Sequence, residues 1–127
     1  MTGTEILNAA LDICALRAED GSLPSDVSDL SQRALGLINI LLAENSSLDA
    51  RIRKEEHEVI SISALSDILD VTDIVACSVL PYGLARLLML GEDDEFAERM
   101  KILYENARSN ALRFGKAVTQ EIEEVYG

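Results

Sequence analysis

The chain has 127 residues, of which 48% are apolar, with two prolines, seven glycines and no tryptophan. A β-sandwich of this length needs more turn residues and more β-branched and aromatic side chains, so one helical domain over 1–127 is expected. A formal net charge of −12, from 23 acids against 11 bases, excludes unaided gripping of DNA or of an anionic membrane, because both reward Lys and Arg on the contacting face.

The opening Met1-Thr-Gly-Thr-Glu5 has neither the basic start nor the apolar core of a signal peptide. Thr2 and Glu5 have capping-box spacing. They predict a first helix from Gly3 to about Glu19, with Ile6, Leu7, Ala10, Leu11, Ile13, Cys14 and Ala18 on one stripe and Gly21 as its stop. Pro24 ahead of Ser25 or Asp26 marks the entry to a second helix. Its buried face is Val27, Leu30, Ala34, Leu37, Ile38 and Leu41, and Leu35, Ile40 and Leu42 widen that face enough to need two partners, or one partner and a neighbouring subunit. The helix is expected to end near Glu44, before Asn45-Ser-Ser47.

Residues 45–66 carry the only basic cluster, Arg51, Arg53 and Lys54, cancelled at once by Glu55, Glu56 and Glu58. This reads as a solvated loop or frayed helix end, with the three cations as a candidate basic contact loop. Glu58 to Ala64 alternates like a strand. It is expected to pack as an extended segment through Ile60 and Ile62, or to pair with another edge, since a lone strand is unstable.

Val71–Leu90 is apolar on every side and reads as one helix, about 30 Å long. A helix apolar all round is buried all round. With Asp73, Pro81, Gly83 and Arg86 inside it, the segment is a poor membrane span and a good central helix for a soluble bundle. Asp67–Asp70 forms a turn and Asp70 is the expected cap. Pro81 lacks the N–H that would bond the Cys77 carbonyl, and its ring clashes there, so a kink is expected near Leu80, with Gly83 adding flexibility.

Asp93 or Asp94 caps the last helix. Its stripe is Phe96, Met100, Leu103, Ala107, Ala111, Phe114, Val118, Ile122 and Val125, with an average step of about 3.6 residues, the period of an unstrained α-helix. A helix from Asp94 to Val125, nearly 50 Å by its rise of about 1.5 Å per residue, outruns its neighbours. Residues 116–127 therefore read as an overhanging assembly tail, with Val118, Ile122 and Val125 needing cover from outside.

The residue pattern offers no chemistry. His57 is alone in a charged loop. Cys14 and Cys77 lie in apolar helical patterns and read as buried free thiols of a reducing compartment. Neither metal-ligand spacing, nor a Gly-rich phosphate loop, nor a Gly-x-Ser-x-Gly elbow is present. No catalytic, cofactor-binding or metal-ligating residue is assigned, and the expectation is not an enzyme.

Four stretches resemble the small helical head–tail connector proteins, or neck adaptors, of tailed phages and prophages. They are Glu5-Ile-Leu-Asn-Ala-Ala-Leu11; Ala34 to Glu44 with its Asn39 and terminal acid; Asp67-Ile-Leu-Asp-Val71 through Val79-Leu-Pro-Tyr-Gly-Leu-Ala-Arg-Leu-Leu88; and the acidic Gly91–Glu95 with Phe96-Ala97 and Tyr104-Glu105. The lack of prolines in 45–62 departs from the pattern. The resemblance implies a ring of about a dozen copies below the portal at the virion head–tail junction, assembled in the bacterial cytoplasm. Such a ring extends the DNA channel and joins head to tail, with partners in itself, the portal, the next neck or tail protein and passing DNA, which it does not bind specifically. It implies no cofactor and no membrane. Pro81, Tyr82, Arg86, Val118, Ile122 and Val125 are the candidate assembly residues. The rival expectations are a small acidic helical regulator or inhibitor that binds a basic partner and, more remotely, an enzyme of unrecognised type.

Overall fold

The structure, a computed structural model, describes residues 1–14 and 27–126, and the side chains of 1–14 and 30–114. The described residues form an all-α bundle with four α-helices: α1 Gly3–Cys14, α2 Val27–Arg53, α3 Leu80–Met89 and α4 Asp94–Tyr126, with a π-helical turn Val75–Val79 leading directly into α3. The capping box closes as the spacing predicts. Glu5 N–H donates to Thr2 Oγ1 at 3.2 Å and Thr2 N–H to Glu5 Oε1 at 3.3 Å. Ile6, Leu7, Ala10 and Leu11 form the buried face of α1. The expected continuation of α1 to Glu19, the Gly21 stop and the Ser25 or Asp26 cap lie outside the described residues.

α2 does not stop at Glu44. It continues to Arg53, about 40 Å in all, because its buried stripe of Ala34, Ile38, Leu41 and Leu42 carries on through Asn45, Leu48 and Asp49. Two members of that stripe are polar, which is why the run of apolar residues breaks off before the helix does. The helix closes at Lys54 in a left-handed conformation (φ 59°), and Glu55 N–H donates to the Ala50 carbonyl at 3.3 Å. This is a Schellman closure with lysine in the position glycine usually takes. Arg51, Arg53 and Lys54 therefore sit on and just past the last turn of α2 rather than in a loop. Of the residues expected to widen the buried face, Leu42 is buried and Ile40 is exposed.

Beyond Lys54 the chain is irregular up to Thr72. Ile62 is buried but Ile60 is 72% exposed, so the expected anchoring through both holds for Ile62 alone. Asn39 clamps the Ile62 backbone, receiving its N–H at 2.8 Å and donating to its carbonyl at 3.0 Å. The pairing edge is the N-terminus. Thr2 and Ile68 form a single antiparallel bridge, Thr4 N–H donates to the Leu65 carbonyl at 2.9 Å, and Leu69 N–H donates to the Met1 carbonyl at 2.9 Å.

The central helical run starts at Asp73, not Val71, and Asp70 does not cap it. The disturbance expected at Pro81 takes the form of the π turn. Leu80 N–H donates to the Val75 carbonyl five residues back, and Pro81 has no N–H to continue either register. The wide turn leaves Cys77 and Ser78 exposed, so Cys77 is not the buried thiol expected. Cys14 is half-buried, and burial pushes its thiol up to about 11. Leu80, Pro81, Gly83, Leu84, Ala85 and Leu88 are buried, and α3 packs against α1, α2 and α4, as a helix apolar all round should. Gly83 serves close approach rather than flexibility: a Cβ there would lie 2.8 Å from Leu41 Cδ2 and 2.9 Å from Tyr104 Cε2.

α4 is capped by Asp93, whose Oδ1 accepts the Phe96 N–H at 3.0 Å. Its buried face is Ala97, Met100, Tyr104 and Ala111, while Leu103 is 42% and Phe114 60% exposed. The face is thus turned relative to the expected stripe. Two alanines let the backbone come close to α3, and Tyr104 takes the place in the core that Leu103 was expected to fill. The backbone of α4 reaches Tyr126. The side chains of Val118, Ile122 and Val125 lie outside the described residues. Among the described residues no helix is long and apolar enough to cross a membrane.

Gly83→Ala should destabilise the fold. The gain in helix propensity of about 0.5–1 kcal/mol is outweighed by about 1–3 kcal/mol of overpacking against the Tyr104 ring, which cannot yield as a flexible chain end can. Denaturant unfolding of the variant should show a lower midpoint than the parent chain.

Candidate functional site

α2 presents two fully buried polar side chains one turn apart, Asn45 and Asp49. A buried polar group without a partner costs about 1–3 kcal/mol, so each has to be met by another element. Asn45 is met by α4. Its Nδ2 donates to the Leu41 carbonyl at 2.9 Å and to the Tyr104 hydroxyl at 2.8 Å, and its Oδ1 accepts from Arg108 Nε at 3.0 Å. The Tyr104 hydroxyl donates in turn to Glu44 Oε1 at 2.5 Å. Every donor points the same way, from the Arg108 cation through Asn45 and Tyr104 to the Glu44 anion. Bonds aligned head to tail polarise one another. Arg108 also lies 5.7 Å from the Tyr104 ring centroid, within cation–π range. Burial and the Glu44 carboxylate push the Tyr104 phenol well above its ordinary value, so the neutral hydroxyl that donates to Glu44 is favoured.

Asp49 is met from the other side. Its Oδ2 accepts from Arg53 Nε and its Oδ1 from the Thr72 backbone N–H, both at 2.7 Å. The bond to Asp49 raises the Arg53 guanidinium above its usual range. Arg53 Nη2 lies 3.5 Å from Asp70 Oδ1, and His57 Nε2 lies 2.9 Å from Asp70 Oδ2 without a directed hydrogen bond. His57 is therefore half-buried against an acid instead of free on the surface. Asp49 thus anchors the point at which the irregular segment enters the central helix.

Outside the Asn45–Tyr104 pair, α2 and α4 enclose a cleft of about 520 Å³. Leu48 and Leu112 supply its apolar lining, and Ser47, Arg51, Arg108 and Ser109 its polar lining, with Glu105 the single acid. A second groove of about 490 Å³ lies between the π turn and α4, lined in part by Cys77, Tyr82, Ala107 and Phe114.

Of the expected assembly residues, Pro81, Tyr82 and Arg86 lie on α3, and the side chains of Val118, Ile122 and Val125 lie outside the described residues. Pro81 is buried, and Tyr82 and Arg86 are half-buried on α3. Arg51 is exposed in the cleft while Arg53 is committed to Asp49. Asn45 and Asp49 were missed as site residues, although the sequence carried a signal: Leu48 and Ile52 continue the stripe, and Asp49 with Arg53 is a helix-supporting i,i+4 pair. Among the described residues no cluster of three or more His, Cys, Asp or Glu side chains is placed to hold a metal. No protein-family model matches the chain, and neither a curated protein nor a solved structure matches it.

Two measurements test this site. Asp49→Asn weakens a charge-assisted bond to Arg53 and turns an amide N–H₂ toward existing donors, so chemical denaturation should show a loss of about 2–3 kcal/mol. Tyr104→Phe should cost about 1 kcal/mol at neutral pH. The folded phenol keeps its proton where the unfolded chain, with an ordinary value near 10, releases it, so the unfolded state binds fewer protons and stability falls as pH rises through about 10. The phenylalanine variant lacks that slope, and the stability gap between the two proteins should narrow above pH 10.

Proposed function

We propose that the chain is a subunit of a phage or prophage head–tail connector, a ring of about a dozen copies below the portal that lengthens the DNA channel and offers a platform to the next neck or tail protein. One observation carries this reading. Three of the four resembling stretches, the second, third and fourth, meet at one junction. Glu44 from the second stretch accepts a hydrogen bond from Tyr104 of the fourth, and Gly83 of the third sits against Tyr104 and against Leu41 of the second. Residues that resemble a family individually are here also mutual neighbours, which a chance run of generic helix would not require.

The surface gives further support. Ile102 and Leu103, 54% and 42% exposed, lie with Phe96 and Arg99 in an apolar groove on α4, and Phe114 is 60% exposed. Apolar groups left open along one helix are suited to neighbouring copies. The overhanging end, 116–127, belongs to the same reading as an assembly tail that docks on the portal or the adjacent subunit. A charge of −12 suits a channel wall that repels passing DNA and lets it slide, whereas a basic wall would hold it. The place of action is then the virion head–tail junction, reached from the bacterial cytoplasm during assembly, with no cofactor and no enzymatic step.

The test is co-expression with a portal protein from the same genome, followed by sizing and electron microscopy. A ring-shaped complex of portal and this chain is the expected outcome. A chain that stays monomeric or dimeric beside the portal overturns the reading and favours a helical regulator.

A further inference from the structure

The cleft between α2 and α4 brings two guanidinium groups together on a strongly acidic chain. Arg51 is exposed and pairs with no acid among the described residues. Arg108 commits Nε to Asn45, which leaves its terminal nitrogens available. Ser47 and Ser109 add hydroxyls, and Glu105 is the one acid of the lining against the two arginines. A guanidinium fork matches a carboxylate in shape and charge, and a volume of about 520 Å³ falls in the range of ligand clefts.

We propose that this cleft is a carboxylate-binding site whose occupant is the acidic turn Gly91–Glu95 of a second copy of this chain. The proposal rests on the connector reading and names the contact by which copies join. The turn is built to present acids. Asp93 and Asp94 are used internally, accepting the Phe96 N–H and the Gly91 N–H at 3.0 Å each, and Gly91 at φ 86° fixes the corner. Glu92 and Glu95 are exposed, and Glu92 joins the turn through its backbone N–H, which donates to the Met89 carbonyl at 3.0 Å and leaves the carboxylate out of the turn's own bonding. A copy cannot fill its own cleft, because the turn and Arg108 are separated by continuous α4 helix, about 20 Å of it. Two unlike patches on one chain make a heterologous, head-to-tail contact, the kind that closes into rings. Charge decides against nucleic acid as the occupant. A duplex would bring its whole phosphate array against a chain of charge −12, whereas a short turn places its acids directly on the two arginines, and more distant like charges are screened beyond about 8 Å.

The experiment is sedimentation velocity on the full chain over a concentration series at physiological ionic strength. It compares the parent with Arg51→Glu, with Glu92→Arg, with Glu95→Arg, and with Arg51→Glu combined with each of the last two. These side chains are exposed and lie outside the core, and circular dichroism verifies that each variant is folded. The parent chain should self-associate, Arg51→Glu and at least one glutamate reversal should each weaken association about tenfold or more, and one combined variant should recover it. Single reversals that associate like the parent, or combined variants that both fail to recover, overturn the proposal. So does a parent chain that remains monomeric at every concentration. None of these outcomes touches the portal co-expression result, so the connector reading stands or falls separately.

Discussion

Two polar side chains buried in the middle of α2 constrain the rest of the fold. Asn45 and Asp49 are both inaccessible, and each must find partners in the core or cost roughly 1–3 kcal/mol. Apolar contacts between helices are permissive, since a helix can slide by a turn and bury nearly the same area. Hydrogen bonds are not. If α4 slid one turn along α2, Asn45, Tyr104 and Arg108 would all lose partners at once. The Arg108–Asn45–Tyr104–Glu44 chain therefore selects one register among several that packing alone would allow, the best-attested use of buried polar groups. Gly83 enforces the same register sterically, because only a residue without Cβ fits between Leu41 and the Tyr104 ring.

Asp49 does for the irregular segment what Asn45 does for α4. Residues 55–72 form no helix, so their backbone N–H and C=O groups need partners outside regular structure. The partners come from side chains on α2 and from the first residues of the chain. Ser46 Oγ accepts the Val59 N–H at 3.2 Å, Asn39 brackets Ile62, and Asp49 accepts the Thr72 N–H. Asp67 closes the turn by accepting N–H bonds from Ser63 and Ala64 at 2.9 and 3.0 Å. A segment held by handles spaced along one helix needs that helix to be long, which explains why α2 extends well past Glu44.

The parts of the fold that follow from local rules could be read directly from the sequence. The capping box at Thr2 and Glu5, the Asp93 cap, the all-round apolar central helix and the long α4 each depend on residues a few positions apart. The errors arose where distant contacts decide. The Asn45-Ser-Ser47 run looks like a turn because Asn and Ser compete with helical hydrogen bonding in isolation. The competition is won by Tyr104 and Arg108, some 60 residues away. A regular helical period through Cys77 would bury it, while the π turn places it outside. The α4 face differs from its apolar stripe because Leu103 matches the core pattern and Tyr104 does not, and a tyrosine goes inside only if its hydroxyl has a partner. His57 seemed solvated because its neighbours in sequence are charged; its neighbour in space is Asp70.

The site carries the same logic to the surface. Arg108 serves two places: Nε fixes the internal register through Asn45, and the residue also lines the cleft with Arg51. The polar lock thus holds one of the cleft's two cations in place, so its guanidinium is oriented before anything binds. Preorganisation of that kind lowers the ordering cost of a contact. For copies that all carry a charge of −12, association is opposed at long range and has to be won at short range, and screening makes that feasible. Beyond about 8 Å the repulsion is damped by salt, while charges in contact within a partly enclosed cleft are not. On the proposed connector reading, an acidic chain can therefore assemble through a small, oriented basic site and still present an acidic exterior to DNA. The residue that makes these two demands compatible is the arginine anchored to the buried asparagine.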